Sequence, residues 1–391
     1  MDDPADKTDP VCGMQGTIPA HGHYFCCERC IRKYEEQHDI PEEQAHCPSC
    51  TVEGGVPWYR QRLFIVTAIT AGLLLAGSLY DPLRPFYDAF MDYLELIWWA
   101  ILLGFFIGGV IDRFVPRSYI EKYLSRHQKR TVGYAILFGF LMSACSHGIL
   151  AIAIELYRKG ASTSSVIAFL LASPWANLPI TVLLFGFFGL NALYIVASAL
   201  VIATTTGLIY QGLERQGLVE CGRCEHGEDT PVLTDFSVLD DMRRRWNAFD
   251  FTGHNIGGVV KGTLAGAWSL TKMVMWWLIV GMVMASFARG YIPHDLFVAY
   301  MGPTLLGLAV TLFFATVIEV CSEGSSPLAF EIFRQTGAFG NSFTFLMAGV
   351  ATDYTEIGLI WQNIGKKAAL WLPVVTVPQV LLLGYLFNVL V

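Results

Sequence analysis

Soft metal ligands recur along this chain in short-spaced groups. Cys12 and the run Cys26-Cys27-x-x-Cys30 are followed by His46-Cys47-x-x-Cys50, and a later polar stretch carries Cys221-x-x-Cys224-x-His226. Two C-x-x-C pairs 16 residues apart suit a tetrahedral thiolate site, because each pair forms a tight turn that aims both sulfurs at one ion. Zinc or copper(I) is the ion expected there. The same cysteines can instead staple a small disulfide domain, but the opening MDDPADKTDPVCG lacks the basic and then apolar start of a secretory signal, which favours ligation. His21 and His23 lie between the ligand candidates and read as solvated. Three soft ligands at 221–226 suit transient capture of an ion better than a closed structural site, which needs four; an idle linker is the competing reading.

A second set of chemistry-bearing residues sits in apolar surroundings. Ser143 to Asn177 returns 176 residues later as Glu319 to Asp353: Cys145 falls on Cys321, Ser146 on Ser322, Gly148 on Gly324, Glu155 on Glu331 and Arg158 on Arg334. Cys, Glu and Arg matching in one register point to two homologous halves. Upstream, with one residue of slippage, Pro116 falls on Pro293 and Tyr123 on Tyr300. Helix breakers fall at corresponding places, in Ser143–Gly148 and Glu319–Pro327, and again at Ser173–Pro179, where Asp353 answers Asn177. In lipid, broken helices persist only where the freed backbone groups are buried in protein or face a watery cavity. Ionised groups at such depth cost on the order of 2.5–3.5 kcal/mol each on insertion scales, so their clustering marks a candidate transport site of Cys145, Ser146, His147, Asn177, Glu319, Cys321, Ser322, Glu323 and Asp353. Sulfur with imidazole and carboxylate suits a thiophilic ion or metalloid. Glu155 with Arg158 and Glu331 with Arg334 read as intrahelical pairs, Met142 and Met347 as packing, and Lys272 as a group that neutralises an acid or snorkels.

The elements that must hold these residues are membrane helices. Of 391 residues 54% are hydrophobic and 15% charged, with a mean hydropathy of +0.47. Apolar runs of about 18 residues or more, enough to cross a bilayer, lie near 62–80, 93–114, 131–157, 163–189, 191–212, 263–288, 303–333, 340–362 and 366–391. The fold class expected is an all-α polytopic membrane protein: two four-helix repeats with broken helices, one extra N-terminal span and a small Cys-rich module. The divisions expected are 1–57 for the metal module, 58–90 for the accessory helix and loop, 91–212 and 257–391 for the repeats, and 213–256 for the linker. Gly104 and Gly108 have the spacing of a close helix contact. Residues 115–130 read as an interfacial helix or as a charged loop. The net charge of −7 is spread over loops and soluble pieces, and no nucleic-acid footprint is visible. Nine full crossings, five of them between the two Cys-rich pieces, would set those pieces on opposite sides; the alternatives are a first run that does not cross or a re-entrant broken segment.

Two resemblances follow from these motifs. DPVCGM followed by HYFCCERCIRKY, about residues 9–38, resembles the short YHS/TRASH-type heavy-metal modules, whose cysteine positions fall on Cys12, Cys26 or Cys27, and Cys30. The doubled Cys26-Cys27 and the Cys47/Cys50 pair depart from that pattern. C-S-x-G, L-Y-R-K-G-A-S and F-L-L-A-S-P in the first half, with C-S-E-G in the second, are similar to the bacterial permeases that include organoarsenical-efflux permeases and predicted copper/zinc exporters. The resemblance covers about residues 90–391 and implies export of a toxic thiophilic species across the bacterial inner (plasma) membrane. Where that family often has C-S-C-G, this chain has Cys145-Ser146-His147-Gly148. No Walker A or aspartyl-phosphate motif is present, so a non-enzymatic secondary transporter is expected, coupled to protons through Glu319, Glu323 or Asp353. Its partners are the bilayer, the cargo and protons, and a homo-oligomer is compatible. A membrane thiol or metal redox enzyme, which needs a close cysteine pair, and a metal receptor without flux are the alternatives.

Overall fold

In the computed structural model the described residues are 18–20, 23–25, 59, 61–114, 131–142, 146–158, 161–220, 253–318 and 321–390. The chain divides into Met1–Thr51 and Val52–Val391. In the first unit, β1 (Ile18–Ala20) and β2 (His23–Phe25) pair antiparallel, Ile18 opposite Phe25. Cys12, Cys26, Cys27, Cys30, Cys47 and Cys50 lie outside the described residues, and so do Cys221, Cys224 and His226.

The second unit is all-α. It opens with α1 (Arg62–Leu79) and α2 (Arg84–Phe114). Then come α3 (Thr131–Leu141), α4 (Ser146–Arg158), α5 (Thr163–Ala176), α6 (Leu178–Phe188) and α7 (Ala192–Arg215). The later part consists of α8 (Gly253–Tyr291), α9 (His294–Met301), α10 (Leu305–Ile318), α11 (Ser322–Thr336), α12 (Phe339–Thr352), α13 (Tyr354–Asn363) and α14 (Lys366–Leu390). Helix starts keep the sequence offset: α4 and α11 begin at 146 and 322, α5 and α12 at 163 and 339, α6 and α13 at 178 and 354.

Five of the nine apolar runs contain helical stretches long and apolar enough to cross a membrane, and the other four, 131–157, 163–189, 303–333 and 340–362, are each two short helices. Length alone therefore overcounts crossings, because a broken run can turn back. Two do. At its start α3 packs Val132 where a Cβ on Gly207 would sit, and Gly207 also faces Ser164 at the start of α5; at its end Gly139 meets Ala172 and Phe169, further along α5. α4 returns to the starting end, where Tyr157 donates to the Ile364 carbonyl (3.2 Å) and Arg158 to Asn363 Oδ1 (3.0 Å). The run 131–157 is thus re-entrant. So is 303–333: α10 runs beside α12, from Thr311 near Asn341 to Thr316 bonded to Thr352 (2.8 Å), and α11 leads back to the start of α12.

Corresponding long helices run antiparallel. On α2 and α8, Phe86 stacks near Phe287 (4.6 Å) and Asp92 bonds Arg289 (2.6 Å) at one end, while Gly109 faces Thr263 and Ala267 at the other. On α7 and α14, Tyr194 stacks near Phe387 (6.0 Å) and Tyr210 donates to the Ala368 carbonyl (2.6 Å). The bundle has two ends: the first gathers the starts of α2 and α7 with the ends of α8, α11 and α14, and the second gathers the ends of α2 and α7 with the starts of α8 and α14.

Small residues set the closest approaches, as in membrane bundles where lipid tails supply no hydrophobic drive between helices. Gly104 faces the Pro179 carbonyl on α6 at 3.0 Å from a built Cβ, and Gly109, one residue beyond Gly108, meets the backbone of α8. Gly340 of α12 and Gly384 of α14 touch so closely that a Cβ on Gly340 would collide with the Gly384 carbonyl, whereas one on Gly349 meets nothing within 4 Å. Gly340→Val is therefore expected to cost about 1–3 kcal/mol through overpacking and to lower the detergent unfolding temperature or the folded yield. Gly349→Ala should leave both at the wild-type value in the same fluorescence-detected size-exclusion and thermal assays.

Candidate transport site

Asn177 and Asp353 terminate one helix and start the next. The Asn177 amide donates to the Ser173 carbonyl (2.8 Å), and its Oδ1 accepts from the Ile180 N–H (2.9 Å). Pro179 sits in the first turn of α6, a position where a missing N–H costs nothing and a fixed φ helps. Asp353 Oδ1 accepts from the Thr355 N–H (2.7 Å), the Thr355 hydroxyl (2.6 Å) and the Glu356 N–H (2.9 Å). Each break so satisfies orphaned donors that the bilayer cannot.

A cleft opens beside the first of these breaks. Ala100, Gly104 and Phe105 of α2, Asn177, Pro179 and Leu183, Leu270, Val274 and Leu278 of α8, and Glu323 of α11 line it. Asn177 (2% exposed) and Glu323 (7% exposed) come from different halves, and Glu323 is the one ionisable side chain among the described lining residues. It lies in the first turn of α11 and accepts from the Ser322 hydroxyl (3.0 Å). Buried Cys321, whose sulfur is in no disulfide, occupies the N-cap of the same helix. The walls are otherwise apolar, so a cationic or soft polarisable species would meet one carboxylate, one amide and a thiol at the adjoining position.

Of the other expected site residues, Asp353 is committed to capping α13 and does not line this cleft. Cys145 and Glu319 lie outside the described residues, and the side chains of Ser146 and His147 at the start of α4 are outside the described part. Among the described residues no three His, Cys, Asp or Glu side chains converge to hold a metal. Lys272 lies over the Trp268 ring of its own helix, 5.9 Å from the centroid. Met142 and Met347 are core.

Two features escaped the sequence reading. Glu356 is 1% exposed in the first turn of α13, three residues after Asp353, inside a run assigned to the membrane; its charge alone was the available signal. Glu331 forms the expected pair with Arg334 (2.8 Å), but it also accepts from Gln335 (2.7 Å) and from the hydroxyl of Tyr93 on α2. Arg158, the counterpart of Arg334 in sequence, donates to Asn363 Oδ1 (3.0 Å).

The cap geometry gives a direct test. Asp353→Ala should destabilise the folded protein by about 0.5–2 kcal/mol, whereas Asp353→Asn, which keeps the accepting oxygen, should lose only a few tenths. Equal losses in the two variants, measured by denaturant unfolding in detergent, would contradict a capping role.

Comparison with known proteins bears on the same region. The family model described as ArsP_1, predicted permease, matches residues 83–389. The chain is 25% identical over 294 residues to the UPF0718 protein YcgR of Bacillus subtilis, covering 73% of this chain and 90% of the relative. It is 20% identical over 319 residues to the UPF0718 protein MJ0584 of Methanocaldococcus jannaschii, covering 69% and 86%. Over 139 residues it is 25% identical to the UPF0718 protein YraQ of Escherichia coli, covering 35% and 40%. No solved structure matches.

Proposed function

This chain belongs to the ArsP_1 family of predicted permeases, and on that premise we propose that it exports a soft heavy-metal ion or organometalloid through the cleft between α2, α6, α8 and α11. The observation that carries the reading is a buried carboxylate from one half and a buried amide from the other on one apolar cleft, with a buried thiol outside any disulfide at the position preceding the carboxylate's helix. A hard, fully hydrated ion is poorly served by such walls, since its lost water would be replaced by too few oxygens. A thiophilic species needs fewer partners and gains from sulfur.

In this mechanism Asn177 holds the mouth of α6 open and offers its amide, while Glu323 compensates positive charge on the cargo. Cys321, and Cys145 at the matched position of the first half, exchange sulfur ligands with the cargo as it passes. Proton uptake by Glu323 removes the compensating charge and favours release, which couples outward cargo movement to inward proton movement. The membrane multi-pass character supports an inner-membrane location in a bacterial cell. The N-terminal and 221–226 cysteines supply delivery, with zinc or copper(I) held by the N-terminal module.

Cys321→Ser keeps size and loses the soft sulfur, so resistance of cells to trivalent arsenicals, mercury, copper or zinc should fall by about tenfold or more while membrane levels stay normal. Glu323→Gln should retain cargo binding weakly and flatten the pH dependence of efflux in vesicles. Full resistance in a Cys145→Ser/Cys321→Ser variant present at wild-type levels would contradict the sulfur-centred reading.

A further inference from the structure

We propose that α2 and α8 move as one unit and that the protein alternates between the arrangement described above and a second one, in which this pair leaves α6 and α11 and docks on α4 and α13. This extends the permease reading by naming the moving element, and it does not depend on the cargo. Matched helices that run antiparallel, α2 with α8 and α7 with α14, relate the halves by a two-fold axis lying across the bundle, the arrangement of inverted repeats. A perfect two-fold would give each contact a twin. The docking of α2 and α8 breaks it.

Gly104 of α2 and Gly281 of α8 are matched positions, 177 apart. Gly104 lies against Pro179 of α6, and Gly281 lies against Gly324 of α11 so closely that a Cβ would collide with its carbonyl. The twins of these contacts would be Gly281 against Thr355 of α13 and Gly104 against Gly148 of α4. Among the described residues neither α2 with α4 nor α8 with α13 makes a comparable packing contact. Both long helices therefore sit on the pair at the first end, and the pair at the second end lacks that cover. On α13, Leu359 and Trp361 are 39% and 40% exposed.

The two pairs also differ in what seals them. At the first end Phe330 of α11 packs on Phe187 and Phe188 of α6 (5.4 and 5.7 Å), and Tyr93 reaches from α2 to the clamped carboxylate of Glu331. At the second end the matched residues are Ile154 and Glu155 on α4 with Asn363 and Ile364 at the end of α13, and Leu270 stands on α8 where α2 has Tyr93. The second docking thus has no tyrosine clamp. The first arrangement is the more stable one, and the bond from Tyr93 to Glu331 must break for the pair to move. The pair itself is tied by Asp92 to Arg289 (2.6 Å) and by Phe86 to Phe287, which lets it travel as a body, while Gly104 and Gly281 set both helices directly on the backbone of α6 and α11, small-residue contacts of the kind that permit sliding.

The test places a photoreactive benzophenone amino acid at Gln362, an exposed position of α13 matched to Gly186. In the present arrangement a Cβ on Gly186 lies 2.9 Å from Ala100 of α2; in the second, Gln362 would face Trp277 of α8. Irradiation of the full-length protein in native membranes, without cargo, should yield adducts to α8 peptides around Trp277, identified by mass spectrometry. Tyr93→Phe should raise that yield about tenfold where it is low, the shift that corresponds to about 1.4 kcal/mol. Adducts confined to lipid, α4 or α14 in a protein that elutes as a single folded species, with yields unmoved by Tyr93→Phe, would overturn the proposal. Full efflux retained in Cys321→Ser with intact α8 adducts would instead count against the cargo site alone.

Discussion

Everything in the membrane part of this protein depends on satisfying the backbone where helices stop inside the bundle. A helix end frees up to four N–H or C=O groups, and in hydrocarbon each unsatisfied one costs several kcal/mol. The chain meets that constraint with short polar side chains at the break itself, Asn177 between α5 and α6 and Asp353 between α12 and α13. Once the caps hold, the helix mouths can face a cleft without unravelling. The amide of Asn177 therefore lines the cleft while it fixes the start of α6.

The second organising fact is unequal treatment of four buried acids. Glu331 is neutralised by Arg334, accepts further hydrogen bonds from Gln335 and Tyr93, and belongs to the frame. Asp353 spends one oxygen on three donors and holds a helix start. Glu323 alone among them lines the cleft. Glu356 stands at the start of α13, where the helix dipole lowers the cost of burying its anion. Among the described residues, acids that cost several kcal/mol apiece on insertion are thus divided between holding the fold and lining the cleft.

Much of this was legible in the sequence, for identifiable reasons. The breaks at Asn177 and Asp353 stand out because Pro174, Pro179 and the small polar residues are strong punctuation in apolar runs, and the fixed offset locates their twins. What the runs could not convey was direction. Whether 131–157 crosses or doubles back depends on Tyr157 finding Ile364 and on Val132 lying beside Gly207, contacts between residues far apart in the chain. The role of Glu331 was half visible, since Arg334 is three residues away and Tyr93 is 238 residues away. Glu356 was visible as a charge in an apolar run but was masked by the nearby Asp353, which drew the attention of the pattern.

The central claim is that cargo is held where α6 and α11 begin, between Asn177 and Glu323 and beside Cys321. Electron cryomicroscopy of the full-length protein saturated with mercury(II) or a trivalent arsenical tests it most directly, because either atom scatters far more strongly than the surrounding side chains. The expected result is a strong feature in that cleft within bonding reach of the Cys321 sulfur, lost in Cys321→Ser. A saturated, well-resolved membrane domain with the heavy atom bound elsewhere, and the cleft between α6 and α11 empty, would contradict the account.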